Sequence, residues 1–326
     1  MDAADNMPYT GSMTSQQARA FLMTLEKGSF SEAALELGVN QSSVSYAITQ
    51  LEKELGVRLL ARGRFGAAPT EVGARMAEHL RKMLQFEEAA IQEASLSGGE
   101  LTGTLRVLTF STIEAAVMPR LIVELRKRYP RLSVKPVSAD RVQPSTILEF
   151  EDVLRNGLAD VGFTNDSPDQ RQDLIYWQLM PDPFLVVLRD GGEAANSISV
   201  KSLAETPIVM AGPGPGCPVR ILGFLQKHLG KEEPDYWTTD FDGLFRMVAE
   251  GVGVGIAPGL ACRALPEGVT TAPFSETFER QVLLAVSPGN LKIPAVRAFM
   301  GVLKEFFPES ELPDLSVPIP TTVGGS

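Results

Sequence analysis

Residues 28–56 read GSFSEAALELGVNQSSVSYAITQLEKELG, two helix-forming runs joined by a corner at Gly38, Val39 and Asn40. The run before them, SQQARAFLMTLEKG, carries Ala18, Phe21, Leu22 and Leu25 at helical spacing and predicts a first helix stopped at Gly28. Ser31, just before EAALELG, is the expected N-cap of the second helix, and Gly38 ends that helix where a positive φ is wanted. Asn40 and Ser42 offer capping oxygens to a third helix whose inward stripe is Val44, Ala47, Ile48, Leu51 and Leu55. Ala34 is small where two helices cross, Leu37 and Val39 flank the corner, and Val44 plugs it, a pattern for steep packing around a short turn. Gln41, Ser42, Ser43, Ser45, Tyr46 and Thr49 are left facing outward near the start of the third helix. Short hydrogen-bonding side chains fit a DNA major groove, whereas a salt-bridged solvent face would carry Glu and Lys, which appear here only at Glu52, Lys53 and Glu54. A helical hairpin inside an enzyme can show the same features, so the corner alone leaves both readings open.

The next segment separates them. In LGVRLLARGRFGAAPTEVG, Arg62 and Arg64 stand in a Gly-rich stretch closed by Pro69 and a capping Thr70, the composition of a β-hairpin wing lying on phosphates. The chain carries a net charge of −10, so any nucleic-acid surface must be local. Residues 53–82 supply one, with Lys53, Arg58, Arg62, Arg64, Arg75, Arg81 and Lys82 against Glu54, Glu71 and Glu78. Taken together, these residues resemble the winged helix-turn-helix of LysR-type transcriptional regulators. The matching features are Gly28-Ser29-Phe30, Ala33-Ala34, Leu37, Gln41, Val44-Ser45, Ile48, Leu51-Glu52, Leu55-Gly56, Leu59, Arg62, Thr70 and Gly73. Asn40, Tyr46, Leu60 and Pro69 depart from the usual pattern and bear on operator preference rather than fold. The resemblance implies double-stranded DNA as a partner, with Ser31, Gln41, Ser42, Ser43, Ser45, Tyr46, Thr49, Arg62 and Arg64 as DNA-binding candidates; Gln41, Ser42, Ser43, Ser45 and Tyr46 are expected to set sequence preference and Arg62 and Arg64 to meet the backbone. It also implies RNA polymerase as a partner and assembly as a homodimer or homotetramer.

Thr70 is expected to cap a linker helix, EVGARMAEHLRKMLQFEEAAIQEASLSGG, ending in a hinge at 97–99. Val72, Met76, Leu80, Met83, Ala90 and Ala94 recur every three or four residues, a seam expected to be shared with a second copy; the alternative is a helix lying on its own domain. His79 reads as a surface residue of this helix.

From residue 101 strands and helices alternate, predicting an α/β domain with parallel sheets. The boundaries read as 13–73 for an all-α winged helix-turn-helix, 70–97 for the linker helix and 101–307 for the α/β domain, with disordered ends at 1–12 and 308–326. The α/β domain divides into one subdomain at about 101–180 and 273–307 and a second at about 181–272. Leu125 with Tyr129-Pro130, the run Asn156–Val161 and the run Val248–Val254 resemble the effector-binding part of LysR-type regulators, which implies a periplasmic-binding-protein-like fold.

Ligands of such folds sit between subdomains at the carboxyl ends of strands. The candidate effector residues are Ser111 and Thr112 after the first strand, Thr164 and Asn165 after ADVGF, and Cys217 and Arg220 in the GPGPGCPVR loop, a set suited to a small organic acid. QPSTILEF at 143–150 reads as extra length beside the cleft. Cys217, with a helix start and Arg220 nearby, is also a redox candidate whose pKa these features would lower; no second cysteine follows before Cys262, so no local disulfide is expected. GVGVG follows a helix and enters a strand, the reverse of a pyrophosphate loop, so no cofactor is expected. With two histidines, His79 and His228, far apart, neither a metal site nor an acid–base constellation is legible, and an enzyme with a helical appendage is the weaker reading. The polar start MDAADNMPYTGSM is unlike a signal peptide and no long apolar run appears, so a cytoplasmic protein without membrane contact is expected.

Overall fold

A computed structural model of the chain describes residues 13–63, 66–138, 150–165, 172–191, 196–212 and 217–313. Residues 1–12 and residues 314–326 of the tail expected at 308–326, together with Arg64, most of the QPSTILEF stretch and residues 213–216 of the loop before Cys217, lie outside the described residues.

The N-terminal unit packs α1 (Ser15–Lys27), α2 (Phe30–Leu37) and α3 (Gln41–Leu55) around Phe21, Ile48, Leu51 and Leu59, all sealed from solvent. β1 (Leu60–Gly63) and β2 (Gly66–Pro69) form the antiparallel wing. The cap of α2 is Ser29, not the expected Ser31: its hydroxyl accepts from the Glu32 backbone N–H, the helix starts at Phe30, and Ser31 lies exposed in the first turn. Two serines compete for this role, and Ser29 takes it because Phe30 must enter the helix to pack on the core. Gly38 holds φ +66° at the corner, the conformation an L side chain resists.

Glu52, which by sequence belongs to a charged surface run, is almost completely buried. Its carboxylate accepts from the backbone N–H groups of Leu59 (2.8 Å) and Leu60 (3.0 Å) and meets Arg58 at 3.5 Å, tying α3 to the root of the wing. Thr70 closes the other side, donating to the Arg58 carbonyl (2.8 Å) while accepting from the Gly73 N–H (2.9 Å). A Cβ on Gly73 would stand 2.0 Å from the Leu59 carbonyl oxygen, so only glycine lets the linker helix pass this close.

That helix, α4 (Glu71–Ser97), is used within the chain more than expected. Leu80 and Ala77 are buried in the N-terminal core, and Val72, Met76 and Met83 lean on it, so most of the expected inter-copy seam covers its own domain. Ala90 and Ala94 remain exposed, beside Phe86 and Ile91, which are over half exposed. Further along, buried Gln85 donates to Asp160 (2.8 Å), and buried Gln92 accepts from the Ala295 N–H (3.1 Å), docking the helix on the C-terminal domain.

Among the described residues, the strands of that domain join in the order β4-β3-β5-β11-β6-β9-β7-β8, with β10 also on β6. β3 (Gly103–Thr109), β4 (Leu132–Ser138) and β5 (Val161–Asn165) are parallel, as are β7 (Ile208–Ala211), β8 (Tyr236–Thr238) and β9 (Val254–Pro258). β6 (Ile175–Arg189) and β11 (Glu279–Val286) run antiparallel to their neighbours, and β10 (Val269–Pro273) pairs antiparallel with β6. The expectation of parallel sheets is therefore corrected to a mixed sheet: β6 and β11 are the long strands that cross between the two halves, and one must return against the other. Helices α5 (Ser111–Ala116), α6 (Met118–Arg128), α7 (Phe150–Arg155) and α10 (Pro294–Phe306) belong to the first half; α8 (Cys217–Leu229) and α9 (Phe241–Ala249) belong to the second. Each half has its own core, with Leu105, Val107, Phe163 and Phe299 in one and Phe184, Ile208, Leu225 and Ile256 in the other. Residues 308–313 are not a free tail: Leu312 is buried in the first core, which corrects the expected boundary at 308.

Candidate functional site

Two places bring the sequence-picked residues together. The first is the start of α3. Asn40 is the N-cap, and its side-chain oxygen accepts from the Ser43 N–H (2.8 Å), the Ser43 hydroxyl (2.8 Å) and the Ser42 hydroxyl (2.6 Å). Gln41, Ser42, Ser43 and Thr49 are exposed, Tyr46 is 68% exposed and Ser45 is half-buried; the Thr49 hydroxyl is turned back to the Ser45 carbonyl at 2.7 Å. Of the basic residues expected around this face, Lys53, Arg58 and Lys82 are exposed, and Arg75 is paired with Glu71 at 2.6 Å. Arg81 is half-buried, so less of its guanidinium is open to a phosphate than its place in the sequence suggests.

The second place is where β6 and β11 cross between the subdomains. Asp182 on β6 lies opposite Arg280 on β11, and both are almost fully buried. The Arg280 Nε and Nη2 donate to Asp182 Oδ2 (2.9 and 2.7 Å), Nη2 also donates to the Thr112 hydroxyl (2.9 Å), and Nη1 to Cys217 Sγ (2.6 Å). The guanidinium lies over the Phe110 ring, 5.0 Å from its centroid, and Asp182 Oδ1 accepts from the Leu260 N–H (2.9 Å). One cation thus holds Thr112 of the first subdomain and Cys217 of the second. Asn165 sits opposite Val282, two residues from Arg280, and its side-chain oxygen is buried without a hydrogen-bond partner among the described residues. Thr164 is buried beside it, Ser111 is exposed, and Arg220 turns away to donate to the Glu279 carbonyl at 3.2 Å.

Arg280 and Asp182 were missed by the sequence reading. The available sign was charge at the mouth of each apolar strand, Asp182 in LMPDPF and Glu279-Arg280 in FERQVLLAV, since charges are almost never buried unpaired. The expectation of a lowered Cys217 pKa is also corrected: burial pushes the thiol up, the opposing pull of Arg280 is smaller, and Arg220 contributes least. Burial and nearby Asp182 push Cys262 up to about 12. Both thiols are free.

The chain matches the family described as bacterial regulatory helix-turn-helix protein, lysR family, over residues 15–74, and the LysR substrate binding domain over residues 98–308. It is 30% identical over 298 residues, 91% of this chain and 98% of the relative, to the probable HTH-type transcriptional regulator LrrA of Synechococcus elongatus. It belongs to the LysR family of transcriptional regulators. In this LysR-type regulator, α1–α3 with the wing are the DNA-binding unit and the α/β domain is the effector-binding unit; the chain is a regulator and not an enzyme. The fold is shared with full-length OxyR of Pseudomonas aeruginosa bearing a cysteine-to-aspartate change, at 23% identity, TM-score 0.68, and coverage of 95% of this chain and 100% of that one. It is shared too with full-length CbnR, solved in complex with its target DNA, at 19% identity and TM-score 0.62 over 90% of this chain and 99% of that one. No helix among the described residues is long and apolar enough to cross a membrane.

Proposed function

We propose that this LysR-type regulator reads its operator through α3 and answers a small organic acid bound at Arg280. Gln41, Ser42, Ser43, Ser45, Tyr46 and Thr49 face the major groove, with Ser31 at its edge, while Arg62 and Arg64 in the wing give sequence-tolerant, salt-dependent phosphate contacts. The exposed stripe Phe86, Ala90 and Ala94, with Ile91 at its margin, is the face of α4 offered to a second copy, as two half-sites require. Pairs of dimers make a tetramer; effector-driven closure of the cleft then changes DNA bending and the access of RNA polymerase in the cytoplasm.

The observation that carries the effector reading is the buried Arg280, which touches helix starts of both subdomains at once. An acid that competes with Asp182 or Cys217 for its N–H groups alters a contact that links Thr112 to Cys217. Asn165, with its unpartnered oxygen, suits a donor on the same ligand. Thermal unfolding of the full chain against a panel of small mono- and dicarboxylic acids tests this. At least one acid should raise Tm in the wild type and fail to do so in Thr112→Val; neutral amide analogues that bind as well as the acids would refute the assignment.

A single-cysteine redox sensor at Cys217 is the second reading. Against it stands the burial of Cys217, which pushes the thiol pKa up, whereas peroxide oxidises the thiolate.

A further inference from the structure

We infer that Asn40 sets which bases this regulator accepts, by turning Ser42 and Ser43 into obligate hydrogen-bond acceptors at the tip of α3. The orientation of the amide follows from the backbone. The Ser43 N–H can only donate, so the Asn40 atom 2.8 Å away is the carbonyl oxygen and not the NH2. A carbonyl oxygen carries no proton to donate, so the Ser42 hydroxyl at 2.6 Å and the Ser43 hydroxyl at 2.8 Å each spend their proton on it. Both hydroxyls are exposed, and what they keep toward solvent is lone pairs.

The consequence for readout is chemical. A free serine hydroxyl tolerates either kind of base edge, since it can rotate to donate or accept. A hydroxyl whose proton is committed accepts only. In the major groove the donors are the amino groups of adenine (N6) and cytosine (N4), while guanine and thymine present acceptors to the same positions. Asn40 therefore biases the bases facing Ser42 and Ser43 toward adenine or cytosine, without touching a base through its own oxygen. It is a positioning residue, and it stands where the helix must have a cap in any case. The inference rests on α3 lying at the base edges, as proposed above.

The test is in vitro selection from a randomised duplex library with the full-length protein. The wild type should enrich, at one or two positions per half-site, base pairs in a fixed orientation, with adenine or cytosine accepted on one strand and guanine and thymine excluded from that strand. Asn40→Ser keeps a capping oxygen of comparable strength but is too short to hold the hydroxyls of both Ser42 and Ser43. It should therefore admit guanine or thymine at those positions. Asn40→Asp keeps an acceptor for all three bonds and should retain the wild-type motif with uniformly weaker binding from its negative charge. A second measurement needs no variant: in the selected duplex, adenine is replaced by purine, or cytosine by 2-pyrimidinone, deleting one amino group at a time. One or two deletions per half-site should weaken wild-type binding about tenfold, the scale of one lost hydrogen bond that leaves its partner unpaired. An Asn40→Ser motif identical to the wild type, or amine deletions without effect across the half-site, would overturn the inference while leaving the DNA-reading helix intact. Enrichment of no motif by the wild type would remove the helix placement and the inference together.

Discussion

Replacing Asp182 by Asn should destabilise the effector domain far more than a surface carboxylate would. Asp182 and Arg280 are 1% and 2% exposed, so the variant leaves a buried guanidinium facing a neutral amide. Breaking a buried ion pair from one side costs about 3–5 kcal/mol. Asn still accepts from the Leu260 N–H, which places the expected loss near the lower end, about 3 kcal/mol, or a fall in Tm of about 6–12 °C for a domain of this size. Arg280→Met should cost at least as much, by stranding the carboxylate. The double variant should lie within about 1–2 kcal/mol of the wild type, because neither charge is then buried alone. Urea unfolding of the full chain at neutral pH measures all four proteins. The two tryptophans report separately, Trp177 on the first-subdomain part of β6 and Trp237 on β8 in the second. Single variants costing less than about 1 kcal/mol, or a double variant no better than the worse single, would refute the pairing as the clamp between subdomains.

Glu52→Ala orphans the N–H groups of Leu59 and Leu60, so it should cost about 2–4 kcal/mol and loosen the wing, seen as faster amide exchange at those residues. The Asp235 carboxylate accepts from the Ile208 N–H at 2.8 Å and meets Lys231 at 3.4 Å, which together hold its pKa below the ordinary value. A depressed folded-state pKa contributes stability above the unfolded value and loses it as pH falls. Asp235→Asn should therefore be less stable than the wild type at pH ~7, with the gap closing below pH ~4 in parallel melts. Peroxide at concentrations that oxidise a low-pKa thiol should leave the Cys217 mass unchanged over minutes; fast sulfenate formation there would favour the redox reading. Arg62→Ala should weaken binding to all DNA sequences and reduce the slope of log affinity against log salt by about one; a selective change in base preference would contradict its place in the wing.

Much of the N-terminal unit was legible because its constraints are local. Gly38 ends one helix, Val44, Ile48 and Leu51 stripe the next, and Thr70 with Gly73 closes the wing over a few residues of chain. The choice of Ser29 over Ser31 as cap was not legible, since it turned on where Phe30 packs. The partition of α4 was hidden for a related reason: Leu80 and Met83 suit a seam with any apolar partner, and sequence spacing does not say whether the partner is a second copy or the chain's own core. In the α/β domain the short strands showed themselves, as at Leu132–Ser138, where Leu132 and Val134 alternate with polar residues. β6 did not show its full length, because Pro181, Asp182 and Pro183 interrupt the apolar run where it crosses between subdomains. The same interruption concealed the cleft. Thr112 and Cys217 were found from their positions at helix starts, but the group that joins them, Arg280, comes from a strand whose place beside β6 depends on pairing across nearly a hundred residues.

The central claim, that α3 reads DNA sequence, is tested most directly by a gel shift of the full-length protein with the DNA upstream of its own gene at two salt concentrations. A specific complex is expected that survives competitor DNA, weakens as salt rises, and is lost in Ser43→Ala/Ser45→Ala while that variant keeps the wild-type Tm. Equal binding to upstream and unrelated DNA by the wild type, or an unchanged specific complex in the double variant, would contradict it.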